Sequence, residues 1–115
     1  MKNKEYQSII KMIEYINRAE QYTKDLSIED FSKDMKTIDA TVLVISQIGE
    51  LVKNFDKDFQ TQNSNIEWIV IKNLRNKIIH DYEGIKLNLI GDIIKEDIPK
   101  LKQDLNNILK NDKKD

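Results

Sequence analysis

Residues 66–82 read IEWIVIKNLRNKIIHDY. The first half is apolar and helix-compatible, and Ile69, Ile71, Leu74, Ile78 and Ile79 are expected to bury most of one continuous helix. The second half sets Arg75, Asn76, His80 and Tyr82 into that run with the spacing R-N-x-x-x-H-x-Y. His80 is the one histidine of the chain, and Arg75 is one of two arginines. Asn76 and His80 are four apart and share a helix face. Arg75 stands about 140° around the axis from His80, so the two reach one cleft only if a second helix or a second subunit completes it. A guanidinium, an imidazole and a phenol this close together suit phosphate chemistry. Ser64 or Asn65 is the expected cap of this helix, and Gly84 its expected stop.

Moving toward the N-terminus, Met35–Phe55 is strongly periodic. Ile38, Val42, Ile45, Ile48, Gly49, Val52 and Phe55 form one stripe, and Leu43, Val44 and Leu51 widen it, as in a central, mostly buried helix. Gly49 in mid-helix costs roughly 1 kcal/mol relative to Ala, which is expected where two helices approach closely. Glu50 beside it either points into a cleft or is an ordinary surface carboxylate. Between these helices, Asp56–Asn65 is polar and reads as a loop. Trp68 reads as core. Glu5–Tyr22 places Ile9, Ile10, Ile13, Ile16 and Ala19 at helical spacing. Ser27-Ile28-Glu29-Asp30 resembles a capping box opening a short helix to about Asp34. At the other end, Leu87 to about Lys110 reads as the last helix, which Pro99 should kink or divide near Glu96–Ile98. The expected fold is therefore all-α: one domain over residues 1–115, a bundle of four long helices plus a short one, with a frayed tail from about residue 111.

Composition narrows the function. The chain has 115 residues and no cysteine, which excludes disulfides and thiolate metal sites. One histidine excludes a histidine-rich zinc site within a subunit, and no cofactor is indicated. The apolar runs are far short of the ~20 residues a membrane span needs. The N-terminus lacks the apolar core of a secretion signal, so a cytoplasmic protein is expected. The net charge of −1 is not that of a dedicated nucleic-acid binder; any RNA contact must be local. Lys72 and Lys77, with Arg75 and Lys86, offer such a patch, although basic residues on helices also serve simply as solvated surface.

Arg75, Asn76, His80 and Tyr82 together resemble the R-x4-H-x-Y motif of the HEPN superfamily, and within it the HepT-like ribonuclease toxins of HEPN–MNT toxin–antitoxin pairs. Ile48-Gly49-Glu50, Trp68 and Ile98-Pro99-Lys100-Leu101 are similar to further features of that family, and the likeness runs from about Ile9 to Leu109. The resemblance implies a HEPN-type bundle acting as a homodimer, in which the motif segments of two subunits form one composite cleft. It implies a metal-independent endoribonuclease acting through Arg75, His80 and Asn76. Its implied partner is a minimal nucleotidyltransferase antitoxin that attaches AMP to Tyr82. The rival reading is a non-catalytic HEPN module that binds a nucleotidyltransferase or a nucleotide; the complete Arg–His pair argues against it.

Overall fold

The computed structural model describes the backbone of residues 1–83 and 87–112, and the side chains of residues 1–78 and 90–112. Among the described residues every regular element is helical. In chain order these are α1 (Asn3–Thr23), α2 (Ile28–Lys33), α3 (Met35–Glu50), a 3-10 turn (Leu51–Asn54), α4 (Lys57–Gln62), α5 (Trp68–Lys72), α6 (Leu74–Glu83), α7 (Leu87–Asp92), a π-helical turn (Ile93–Asp97) and α8 (Ile98–Asp112). The all-α bundle expected from periodicity is the fold observed.

The longest seam lies between α1 and α3, and α8 closes over α1. α1 buries Ile9, Met12, Ile16 and Ala19; α3 buries Ile38, Val44, Ile45 and Ile48; α8 adds Ile98, Leu101 and Leu105. Burying each such aliphatic side chain stabilises the fold by about 1.5–3 kcal/mol. Thr41 is fully buried in this seam. Its hydroxyl donates to the Thr37 carbonyl at 2.7 Å, so this buried hydroxyl is paired. Across the bundle, the Lys102 ammonium meets Glu20 at 2.8 Å and ties α8 to α1.

Side chains set the helix starts. Ser27 accepts the Asp30 N–H at 3.0 Å at the start of α2. Asp34 accepts the Thr37 N–H at 3.1 Å and the Thr37 hydroxyl at 2.7 Å at the start of α3. Between α1 and α2 the chain turns through Asp25, whose φ of 64° is left-handed, a conformation that Asp tolerates better than most residues.

Four expectations need correction. Asp56–Asn65 is not a plain loop, because Asp56 accepts the Phe59 N–H at 2.8 Å and starts the two-turn α4. Phe59 from α4, Phe55 and Trp68 then pack with ring centroids 5.0–6.0 Å apart, and the Trp68 indole N–H donates to the Asn63 carbonyl at 3.0 Å. That aromatic corner fixes where α5 begins. Neither Ser64 nor Asn65 caps α5; Glu67 occupies that position without a side-chain cap. The helix expected to run unbroken into the motif bends at Asn73. Finally, Leu43 and Ile69 are not core: they are 60% and 76% exposed. The division expected near Pro99 takes the form of the π-helical turn, which lies immediately before α8, with Pro99 in its first turn. The ladder still enters α8 there, the Ile98 N–H reaching the Ile93 carbonyl, and the next residue, Pro99, has no N–H to give. Ile79, Gly84, Lys86 and Leu89 lie outside the residues whose side chains are described.

Candidate active site

α5 and α6 form one rod bent at Asn73. The Asn73 N–H still reaches the Ile69 carbonyl at 3.1 Å, and the Asn73 carbonyl still accepts the Lys77 N–H at 3.0 Å. The hydrogen-bond ladder therefore passes through the bend. Asn73 itself sits at φ −93°, ψ 4°, a backbone region between helix and strand that Asn enters readily because it is a poor helix former.

Gly49 explains why α3 lies so close to this bend. A Cβ at position 49 would stand 3.1 Å from the carbonyl oxygens of both Ile71 and Lys72, tighter than side-chain carbon atoms ordinarily come. The absent side chain lets the α3 backbone rest against the last turn of α5. Leu74 and Ile78 are fully buried on α6, which packs on α3 below the contact.

Beside that contact the two elements part around a surface cleft of about 200 Å³. α3 and the 3-10 turn line it with Ser46, Gly49, Glu50 and Lys53; α5, the bend and α6 line it with Lys72, Asn73, Arg75 and Asn76. Three cations and one carboxylate share a small volume, in a chain whose net charge is −1. Glu50 and Lys53 form an exposed pair at 3.6 Å.

The structure thus brings together Arg75, Asn76, Glu50 and Lys72 from the sequence-derived set. Lys77 is exposed but is not part of this cleft's lining. His80 and Tyr82 are carried by α6, His80 one turn beyond Asn76 and Tyr82 in the last turn; their side chains lie outside the described residues. Lys53 and Ser46 were not singled out by sequence reasoning. Their signal was spacing alone, since Ser46, Glu50 and Lys53 recur at four and three residues along one face.

A wider hollow of about 490 Å³ lies where α4 meets α5. Its lining includes Trp68, Ile69 and Val70, with Lys57 and Glu67 the charged side chains among the described residues. Among the described residues it has no excess of positive charge and neither Arg75 nor Asn76, so these side chains are poorly suited to holding a phosphate. Among the described residues no three His, Asp or Glu side chains gather as metal ligands do, and no described helix is long and apolar enough to cross a membrane.

With this geometry in hand, comparison with known proteins places the chain. The family model described as ribonuclease HepT-like matches residues 12–108. The chain belongs to the HepT-like ribonuclease family. Among its relatives, an inferred RNase of Caldanaerobacter subterraneus subsp. tengcongensis is 38% identical over 90 residues, covering 78% of this chain and 80% of the relative. A protein of Thermococcus cleftensis named probable ribonuclease HepT is 37% identical over 89 residues, covering 77% and 81%. An inferred RNase of Methanocaldococcus jannaschii is 32% identical over 94 residues, covering 82% and 86%. No solved structure matches the chain at a significant level. Membership in this family gives the Arg75–Asn76 cleft a chemical context: a HepT-like domain that presents a guanidinium and an amide together at the surface.

Proposed function

We propose that this HepT-like protein is a metal-independent endoribonuclease, the toxin of a type VII-like HEPN–MNT toxin–antitoxin pair, acting as a homodimer in the cytoplasm. The observation that carries the reading is the cleft in which Arg75 and Asn76 open beside Glu50 and Lys72. Arg75 is always charged and donates in a fork, which suits the equatorial oxygens of a phosphorane. His80 transfers protons, its ordinary pKa of about 6.5 lying near working pH. Asn76 orients either His80 or the phosphate.

In the reaction, a base removes the proton of the ribose 2′-OH and the 2′-oxygen attacks phosphorus. The bond from phosphorus to the 5′-oxygen breaks, and an acid returns a proton to that oxygen. The products are a 2′,3′-cyclic phosphate and a 5′-OH. Two proton transfers call for two groups, while each chain holds one histidine. A second copy supplies the other imidazole. Leu43 on α3 and Ile69 and Val70 on α5 are exposed apolar side chains on the elements that build the cleft, available for contact with such a copy.

Tyr82, in the last turn of α6, is the proposed acceptor of AMP from the cognate minimal nucleotidyltransferase. A bulky anion there would block the cleft and repel RNA phosphates.

Purified protein should cleave RNA in the presence of EDTA and leave cyclic-phosphate ends. Cleavage that disappears on chelation, with the fold intact, would overturn metal independence. Growth arrest that His80→Ala fails to relieve would favour a non-catalytic binding module. Intact mass after co-expression with the nucleotidyltransferase should show added AMP on the wild type and none on Tyr82→Phe.

A further inference from the structure

Lys53 lines the cleft from the 3-10 turn after α3, and the chemistry above gives it no task. Its ammonium lies 3.6 Å from the Glu50 carboxylate, and both side chains are mostly solvent-exposed, 71% and 60%. An ion pair this open contributes little to stability, so its presence is not explained by a structural need. It does keep a cation over the cleft from the side opposite Lys72 and Arg75. Every nucleotide of an RNA strand brings a phosphate. An arginine that forks onto one phosphate leaves the next one to be met by a point charge on a flexible stem, which is what lysine supplies.

We propose that Lys53 holds the phosphate adjacent to the scissile one, and that Glu50 keeps the Lys53 ammonium over the cleft until RNA replaces it. The assignment rests on the ribonuclease reading and deepens it. The strand then lies along the groove between α3 with its 3-10 turn and the bent α5–α6 rod, with Arg75 on the reacting phosphate and Lys53 beside it.

The test uses the whole protein and a short fluorescent RNA that is 2′-O-methylated at every ribose, which cannot be cleaved because it lacks the nucleophile. Lys53→Ala should weaken binding about three- to tenfold and lower the slope of log affinity against log salt by about 0.7, the loss of one phosphate contact on a single strand. Lys53→Arg should restore both. On cleavable RNA, KM should rise by a similar factor while kcat holds. Lys11→Ala, an exposed cation on α1 away from the cleft, should behave as wild type. Wild type that binds and cleaves while Lys53→Ala matches it in slope and KM removes Lys53 from the substrate path and leaves the ribonuclease reading standing. A kcat loss at constant KM overturns the positioning role, because Lys53 would then act on the reacting atoms. Wild type that neither binds nor cleaves RNA overturns both.

Discussion

α3 faces two neighbours, and the two contacts are made differently. In its broad contact with α1 it buries aliphatic side chains such as Ile38, Ile45 and Ile48, and the buried polar residue Thr41 is bonded back to its own helix. Toward the α5–α6 bend the closest contact is backbone to backbone, through the missing Cβ of Gly49. The first contact holds position by the amount of apolar surface removed from water. The second combines burial of Ile71, Leu74 and Ile78 with a close fit of shape at Gly49, and polar side chains stand beside that point. Ser46, Glu50, Lys72, Arg75 and Asn76 are polar and accessible because no aliphatic seam is needed where they stand. A bundle can place a polar cleft against its core in this way without weakening that core.

The sharpest test of that division pairs one substitution from each contact. Arg75→Ala should lower RNA cleavage by about 10²–10³-fold, the usual effect of losing one donor to transition-state charge. Its melting temperature should stay near that of wild type, because Arg75 is exposed. Ile45→Ala should do the reverse. It should cost about 2–5 kcal/mol in denaturant unfolding by leaving a cavity in the α1–α3 seam, while cleavage per folded molecule is kept. Equal effects of both substitutions on stability would mean that the cleft is part of the core and the division is false.

How far each contact could be read from sequence follows the same line. The α1–α3 seam was legible because burial by a helix face leaves a periodic signature, and Ile9, Ile16, Ile38, Ile45 and Ile48 carry it. Gly49 was legible as a close approach, since a glycine in a helix needs a reason. The motif residues Arg75 and Asn76 were legible as a pair, and the cleft they share with Glu50 is where they fall. The rest is less periodic. Residues 68–71 are continuously apolar, and such a run does not say which face is buried, so Ile69 read as core although it is exposed. α4 has only two turns, too short to show a period; its signals were Asp56 as a cap and Phe59 as its one buried residue. The bend at Asn73 had only a weak local signal, the low helix propensity of Asn, and its packing against Gly49 joins residues distant in sequence.

Gly49→Ala probes the shape-held contact directly and should have a smaller effect. Alanine would add about 1 kcal/mol of helix propensity, but its Cβ would press on two carbonyl oxygens that belong to backbone and cannot rotate away. Overpacking of this kind costs about 1–3 kcal/mol, so a net loss of up to roughly 2 kcal/mol is expected. Because α3 must move off the bend, cleavage should fall as well, unlike the result for Ile45→Ala. A more stable Gly49→Ala protein would show that the helices have room to spare and that the cleft is not held by this contact.

The smallest effect concerns the helix starts, which set the direction in which α3 and α4 run between the two contacts. Thr37, donating its hydroxyl and its N–H, holds the Asp34 carboxyl below the usual carboxylate range. Lys2, and then the Phe59 N–H, does the same for Asp56. A carboxyl whose pKa is lower in the folded chain than in the unfolded one adds stability fully above the unfolded value, 3.8, and loses it as pH falls through the folded value. Asp34→Ala should therefore melt below wild type at pH 7, and the gap should close on acidification below about pH 4. Ile45 carries no charge and is fully buried, so the deficit of Ile45→Ala should stay nearly constant over the same range. A gap for Asp34→Ala that persisted unchanged into strong acid would mean that Asp34 acts through packing and not through its charge.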